Sequence, residues 1–303
     1  MFSKSLSACG YFRSATSKNK FLTRLLCSDL TEKPVDNRPI RQELYFENRV
    51  VRLIFNKPKN RNVLSLEMMN ALYTELHSID QIEKLRAVIL AGDGPAFCAG
   101  HDLKELIHEQ GSDCHKQVFK RCSELMLLIQ SMKLPVIAEV DGVAAAAGCQ
   151  LISTCDIVVA SEKSTFSVPG LKAGIFCSTP GIPLARNIPR KLAMDMLLTA
   201  RTISAKEALQ AGLVSRVVSS EQTSEEALRV AEDILKMSRS VTALGKAFFY
   251  AQIEQSNLSS VYRQGESVMC GNLKLVDAQQ GIQSFVAKSK EVPSWTHSNE
   301  IHK

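Results

Sequence analysis

Short apolar runs alternate along the chain with segments of helical period. Leu44-Tyr45-Phe46 and Val50-Val51-Arg52-Leu53-Ile54-Phe55 flank the polar stretch Glu47–Arg49 and predict a hairpin. Beyond the basic loop Lys57-Pro58-Lys59-Asn60-Arg61-Asn62, Ser65 is a good N-cap for a helix to about Ile79, with Met68, Met69, Leu72 and Leu76 on one face. Arg86–Leu90 reads as a buried strand. A Gly/Pro loop, Gly92–Gly100, then leads to a helix expected from about Asp102. A second helix, Val118–Met132, stops before Leu134-Pro135, because the residue before proline disfavours the α conformation. Val136–Val140 is a strand, and a Gly/Ala turn opens a helix at about Gly148–Ser153. Ile157–Ala160 and Thr165–Ser167 are strands, and the rest is helical apart from Leu213–Val218. Strands followed by helices in this order predict an α/β fold.

Composition narrows the class. The chain has 303 residues, 45% of them hydrophobic and 22% charged, enough to bury a sizeable core and too apolar for general disorder. No apolar run approaches the ~20 residues that cross a bilayer; the most apolar region, Val136–Leu151, is broken by Glu139, Asp141 and Gln150. The net charge of +6 is uneven: residues 1–28 hold Lys4, Arg13, Lys18, Lys20 and Arg24 and no acid, leaving a nearly neutral body. Such a body gives no electrostatic footprint for nucleic acid. The leader is also rich in serine, the composition of a mitochondrial transit peptide, here placed at residues 1–30 with a polar linker at 31–43. Two of the nine cysteines, Cys9 and Cys27, fall in it; the other seven form no CxxC pair and are expected to be free thiols.

Candidate chemistry is sparse. Gly92-Asp93-Gly94 follows a strand, but the third glycine of a dinucleotide fingerprint is missing, so an ordinary turn is the better reading. His101, Glu105 and His108 share a helix face near Cys114 and His115, yet the spacing fits no common zinc pattern, and a solvated face is expected with no metal. Two small-residue loops leading into helices carry more: Ala96-Phe97-Cys98-Ala99-Gly100-His101-Asp102-Leu103 and Asp141-Gly142-Val143-Ala144-Ala145-Ala146-Ala147-Gly148-Cys149-Gln150-Leu151. Helix N-termini present unpaired N–H groups. Two such groups converging on one point would form an oxyanion hole, in which one donor is typically worth about 3–4 kcal/mol.

These stretches, with Asn56-Lys57-Pro58, Asn62-Val63-Leu64-Ser65, Pro135-Val136-Ile137-Ala138, Cys155-Asp156-Ile157, Gly212-Leu213-Val214 and Gly281-Ile282 with Phe285, occur in the order found in the crotonase (enoyl-CoA hydratase/isomerase) superfamily, which the chain resembles over about residues 45–290. The resemblance implies a spiral of ββα units over 44–235, a helical trimerisation region over 236–290 and a tail at 291–303. It also implies trimers or dimers of trimers. The oxyanion donors would be the backbone N–H groups of His101 and Ala147. A coenzyme A thioester, as ligand or substrate and with no other cofactor, would lie along Arg61, Asn62, Val63 and Leu64 with Ala99 nearby, and Lys288 or Lys290 would reach its phosphates.

The sequence departs from that pattern where hydratases keep two glutamates. Gln150 and Gly170 stand there, and an amide takes no proton at neutral pH. Each lost acid or base is worth roughly 10²–10⁴ in rate. The middle glycine of the family's Gly-Gly-Gly turn is Ala147, which would be strained at positive φ. Cys177, Ser178 and Thr179 are candidates to line an acyl pocket, Cys177 with thiolate character near a helix start, but Ser178 or Thr179 capping the helix with Pro180 in its first turn is the better reading. Gly170 also resembles the position at which naphthoate synthases leave room for a bicarbonate base. Three readings stay open: an acyl-CoA-binding protein of mitochondrial fatty-acid metabolism with weak or absent hydration, a CoA-thioester enzyme using another base, and a non-catalytic binding or RNA-binding protein.

Overall fold

In the computed structural model, residues 37–291 and 293–302 are described; the expected leader and the start of the linker lie outside them. Strand β1 (Ile40–Tyr45) pairs antiparallel with β2 (Val50–Phe55), and β3 (Ala87–Gly92), β5 (Val136–Val140), β7 (Ile157–Ser161) and β10 (Arg216–Val218) continue the sheet in parallel. A second sheet takes β4 (Ala96–Cys98), β6 (Val143–Ala145), β8 (Thr165–Ser167) and β9 (Thr202–Ser204), the last antiparallel. This is the expected α/β spiral.

Side-chain alternation sorts the main sheet into two faces. Val51, Leu53, Phe55, Val88 and Leu90 point into the large core with α1 (Leu66–Asp80) and α2 (Gly111–Ser131), while Val50, Ala87, Ile89 and Val159 pack on Ala227, Val230 and Ala231 of α7 (Thr223–Leu235). Phe55 and Phe97 meet edge to face at 5.4 Å, joining the two sheets. Ser65 caps α1 by accepting from Met68 N–H, and Met68, Met69, Leu72 and Leu76 are buried, as the pattern requires.

Several boundaries differ from expectation. Strand β1 begins at Ile40, inside the segment read as linker, because Ile40 is buried in the core. No helix starts at Asp102: its side chain accepts from Lys104 N–H and starts a 3-10 turn, Leu103–Glu105, and a second turn at His108–Gln110 precedes α2 at Gly111. Strands β4 and β6 occupy stretches read as loop and turn; three residues are too few for alternation to register.

The C-terminal third holds α8 (Arg239–Ile253), α9 (Leu258–Asn272) and α10 (Val276–Val286). Lys246 of α8 is buried with its ammonium on Ile129 O (2.9 Å), Leu134 O (2.9 Å) and Asp156 Oδ2 (2.6 Å), and Tyr250 O–H donates to Asp156 Oδ1. The segment read as a tail returns to the fold: Asp277 accepts from Thr296 and His297, and Trp295 Nε1 donates to Lys236 O. Among the described residues no helix is long and apolar enough to cross a membrane.

Candidate functional site

The two small-residue loops meet at Gly100. A Cβ there would lie 2.9 Å from Ala146 Cβ and 3.4 Å from the backbone nitrogen of Ala147, so only glycine, at φ +105°, permits the approach. Helix α3 (Ala147–Thr154) starts at this point, and a Cβ on Gly148 would lie 2.2 Å from Cys98 O. The Ala147 N–H, first in its helix, has no carbonyl one turn back. Neither it nor the His101 N–H meets an acceptor among the described residues. The strain expected at Ala147 falls instead one residue earlier. Ala147 is helical, and Ala146, at φ 48° and ψ −116° with its N–H on Ser167 O, takes the conformation that favours glycine.

The His101 side chain adds a group that its backbone role did not anticipate. Its Nδ1 lies 3.2 Å from Leu64 O, and its ring stands edge-on to Phe119 at 5.5 Å. A carbonyl only accepts, so Nδ1 carries the proton and Nε2 the lone pair. Nε2 is buried and has no partner among the described residues, and burial holds the imidazole below its ordinary value of 6.5. Gln150 is 4% exposed and accepts through Oε1 from the Cys122 thiol at 3.8 Å. Phe119 and Cys122 are one turn apart on α2, so His101 and Gln150 rest on the same helix face.

Gly170 offers no vacancy. It lies in a 3-10 stretch, Pro169–Ala173, where a Cβ would meet Ile175 O at 2.2 Å and Cys177 Sγ at 2.7 Å. The cysteine sulfur accepts from Gly170 N–H at 3.3 Å and crowds the side of Gly170 on which a Cβ would stand. Nor does Cys177 gain thiolate character: burial pushes its thiol up despite the start of α4 (Ser178–Asn187) beside it. Neither Ser178 nor Thr179 caps that helix. Cys177 takes the cap position without a side-chain bond, Ser178 is exposed and Thr179 half-buried.

In the basic loop, Arg61 and Asn62 both have φ near +50°. Asn62 is fully buried; its Nδ2 donates to Asp93 O and Ala96 O, both at 2.8 Å, and its Oδ1 accepts from Lys57 N–H at 3.0 Å. Its side chain holds the loop and is not free to touch a ligand. An asparagine in a loop, tolerant of left-handed backbone, was the available signal for this. Leu64 is buried too, its N–H on Gly100 O, while Ala99 N–H donates to Arg61 O. Arg61 is exposed and Val63 half-buried. Lys288 and Lys290 are exposed beyond α10, and no hydrogen bond or ion pair ties either to the Gly100 turn among the described residues.

The other candidates disperse. Asp93 and Gly94 form a tight turn, with Asp93 N–H on Phe55 O and Gly94 against Pro58. The Glu105 carboxylate accepts from Leu66 N–H and His115 Nε2 meets Ile107 O, and no group of three metal-ligating side chains forms among the described residues.

The profile of the enoyl-CoA hydratase/isomerase family matches residues 45–298. The mitochondrial enoyl-CoA hydratase domain-containing protein 3 of Rattus norvegicus is 45% identical over 89% of this chain and 90% of its own length. Its Homo sapiens counterpart is 49% identical over 81% of this chain and 80% of its own. The crystal structure of the human protein of that name superposes with a TM-score of 0.82 at 45% identity, covering 85% of this chain and all of the other.

Proposed function

The chain belongs to the enoyl-CoA hydratase/isomerase family, and from that premise we propose that it binds an acyl-CoA thioester at the Gly100–Ala147 turn without the glutamate pair of the hydratases. One observation carries this reading: the free N–H groups of His101 and Ala147 flank the close approach that Gly100 permits, and Gln150, in the helix that Ala147 opens, carries an amide rather than a carboxylate. The two donors would hold the thioester oxygen and favour enolate character at the α carbon. Arg61, Val63 and Ala99, with Lys288 from beyond α10, are the residues assigned to the coenzyme A portion. The mitochondrial designation of the relatives supports a mitochondrial location, and the proposed setting is fatty-acid metabolism in the matrix. The proposed assembly is a trimer or a dimer of trimers, since α9 and α10 leave Tyr262, Phe285 and Val286 exposed.

The test is calorimetric titration of the folded protein with acyl-CoA esters, beside the loss of enoyl absorbance with crotonyl-CoA. Saturable binding with hydration near background is expected. Absence of binding to any ester, or rapid turnover, would overturn the reading.

A second reading, an enzyme with a different base, is favoured by His101 alone. Its buried, unprotonated Nε2 is a proton acceptor in the same turn. On this reading, deuterium enters the α carbon of a saturated acyl-CoA in heavy water, and His101→Gln, which keeps the backbone donor, slows the exchange roughly 10²-fold or more. Equal exchange in both proteins would remove it.

A further inference from the structure

Arg49 and Arg86 immediately precede β2 and β3, parallel strands with Val50 opposite Ala87, and Arg239 opens α8. The Gly100 turn follows the other end of β3, and six strand residues span roughly 20 Å. The arginines therefore lie at the opposite end of these strands. Arg86, Arg239, Lys84 and Glu83, with the polar strap Thr296–Asn299, line a cavity of about 490 Å³. That volume lies in the range of small-molecule sites, roughly 300–1,000 Å³.

The charges there are only partly offset. Among the described residues, Arg49, Lys84, Arg86 and Arg239 form no ion pair. Arg49 Nε donates to Phe46 O, Arg239 Nε to Leu85 O at 3.2 Å and Arg86 Nη1 to Leu85 O at 3.0 Å, all neutral carbonyls. Arg86 Nε is buried and donates to nothing. The guanidiniums are close enough that Arg239 and Arg49, after burial, depress Arg86 further. Asp277, behind the strap, accepts from Ser238, Thr296 and His297, all neutral donors, and keeps its charge. Glu83 and Asp277 together offset two charges of four. His297 Nδ1 accepts from Arg239 N–H, so the neutral ring keeps its proton on Nε2 as a further donor. Gathering like charges over an unmet donor is unfavourable unless an anion offsets it, and guanidinium forks match phosphate oxygens in pairs.

We propose that the cavity between Arg86, Arg239 and the Thr296–Asn299 strap binds a phosphate-bearing small molecule. A single carboxylate would leave a net positive charge, whereas a phosphate with two charges and three acceptor oxygens meets both the guanidiniums and the strap hydroxyls. The site is separate from the thioester turn, and its case does not depend on acyl-CoA binding there.

Pyrophosphate is the probe, titrated calorimetrically into the whole protein at fixed ionic strength. Coenzyme A is left out, since its own phosphates would compete for the cavity, and the cavity is told from the thioester turn by the arginine variants, which lie away from that turn. Saturable binding is expected, weakened roughly tenfold or more in Arg86→Gln and in Arg239→Gln, with Lys116→Gln, an exposed charge on α2, unchanged. Should Arg86→Gln fail to fold, Arg239→Gln gives the same readout. No saturable binding in the parent protein, or equal binding in parent and Arg239→Gln, overturns the proposal.

Discussion

Ala146 is the residue under most evident backbone strain near the site. A non-glycine residue at φ 48° and ψ −116° costs about 1–3 kcal/mol, held by the surrounding packing. Ala146→Gly is therefore expected to raise stability by about 1 kcal/mol in urea unfolding, less the entropy glycine returns to the unfolded chain. Gly170→Ala goes the other way. Its Cβ would overlap the Ile175 carbonyl, a backbone atom, and a loss of about 1–3 kcal/mol is expected from the same measurement. Protonation is read at His101 and His297, both held below 6.5 mainly by burial. The folded state then binds fewer protons than the unfolded state just below that value. The stability these rings contribute is complete above pH 6.5 and is lost as pH falls through their folded values. His101→Gln should flatten that part of the stability–pH curve; an unchanged slope would show that the ring is not held neutral. The thiols divide as sharply. Burial pushes Cys98, Cys122 and Cys149 up to about 12, while Cys270 is exposed. Iodoacetamide on the native protein should spare those three until denaturant is added, and should mark Cys270 only as far as neighbouring subunits leave the α8–α9 groove it lines open.

Among the elements, α8 is tied to the spiral by one buried ion pair. Removing one partner of such a pair costs about 3–5 kcal/mol, because the other charge stays buried. Lys246→Met should lose that much stability and speed amide exchange through α8; unchanged exchange would place the anchor elsewhere. Elements with a strong local signal were legible in the sequence. Helix α1 has a capping serine and a full apolar face, and β2, β3 and β5 are long apolar runs. Strands β4, β6 and β9 were not, although the equally short β8 was; β4 and β6 sit in glycine-rich stretches that read as turns, and each of the three pairs only with strands 20 or more residues away. The Asp102 segment misled because its apolar spacing is helical, yet Glu105 is drawn to the backbone of Leu66, a contact no local pattern announces. At the site the glycine-rich turns were readable as close approaches, and Gly100 and Gly148 make them. The roles of Asn62 and of the His101 ring needed the third dimension, because each depends on carbonyls 31 or more residues away.

For the whole molecule, the exposed apolar residues of the C-terminal helices and the groove of about 760 Å³ between α8 and α9 are more than an isolated monomer commonly leaves bare. Sedimentation at micromolar concentration should find a trimer or its dimer, and Phe285→Asp should shift the population towards smaller species. A parent protein that stays monomeric would mean those faces serve something else. The Lys246 anchor also bears on chemical durability. Acyl thioesters modify lysines through a free amine, and the Lys246 ammonium has each of its three hydrogens engaged and its stem enclosed. In surroundings rich in activated acyl groups, surface lysines such as Lys116 and Lys120 would accumulate acyl marks. Lys246 would stay chemically silent for as long as the fold persists, so an acyl mark there would record a molecule that had already opened.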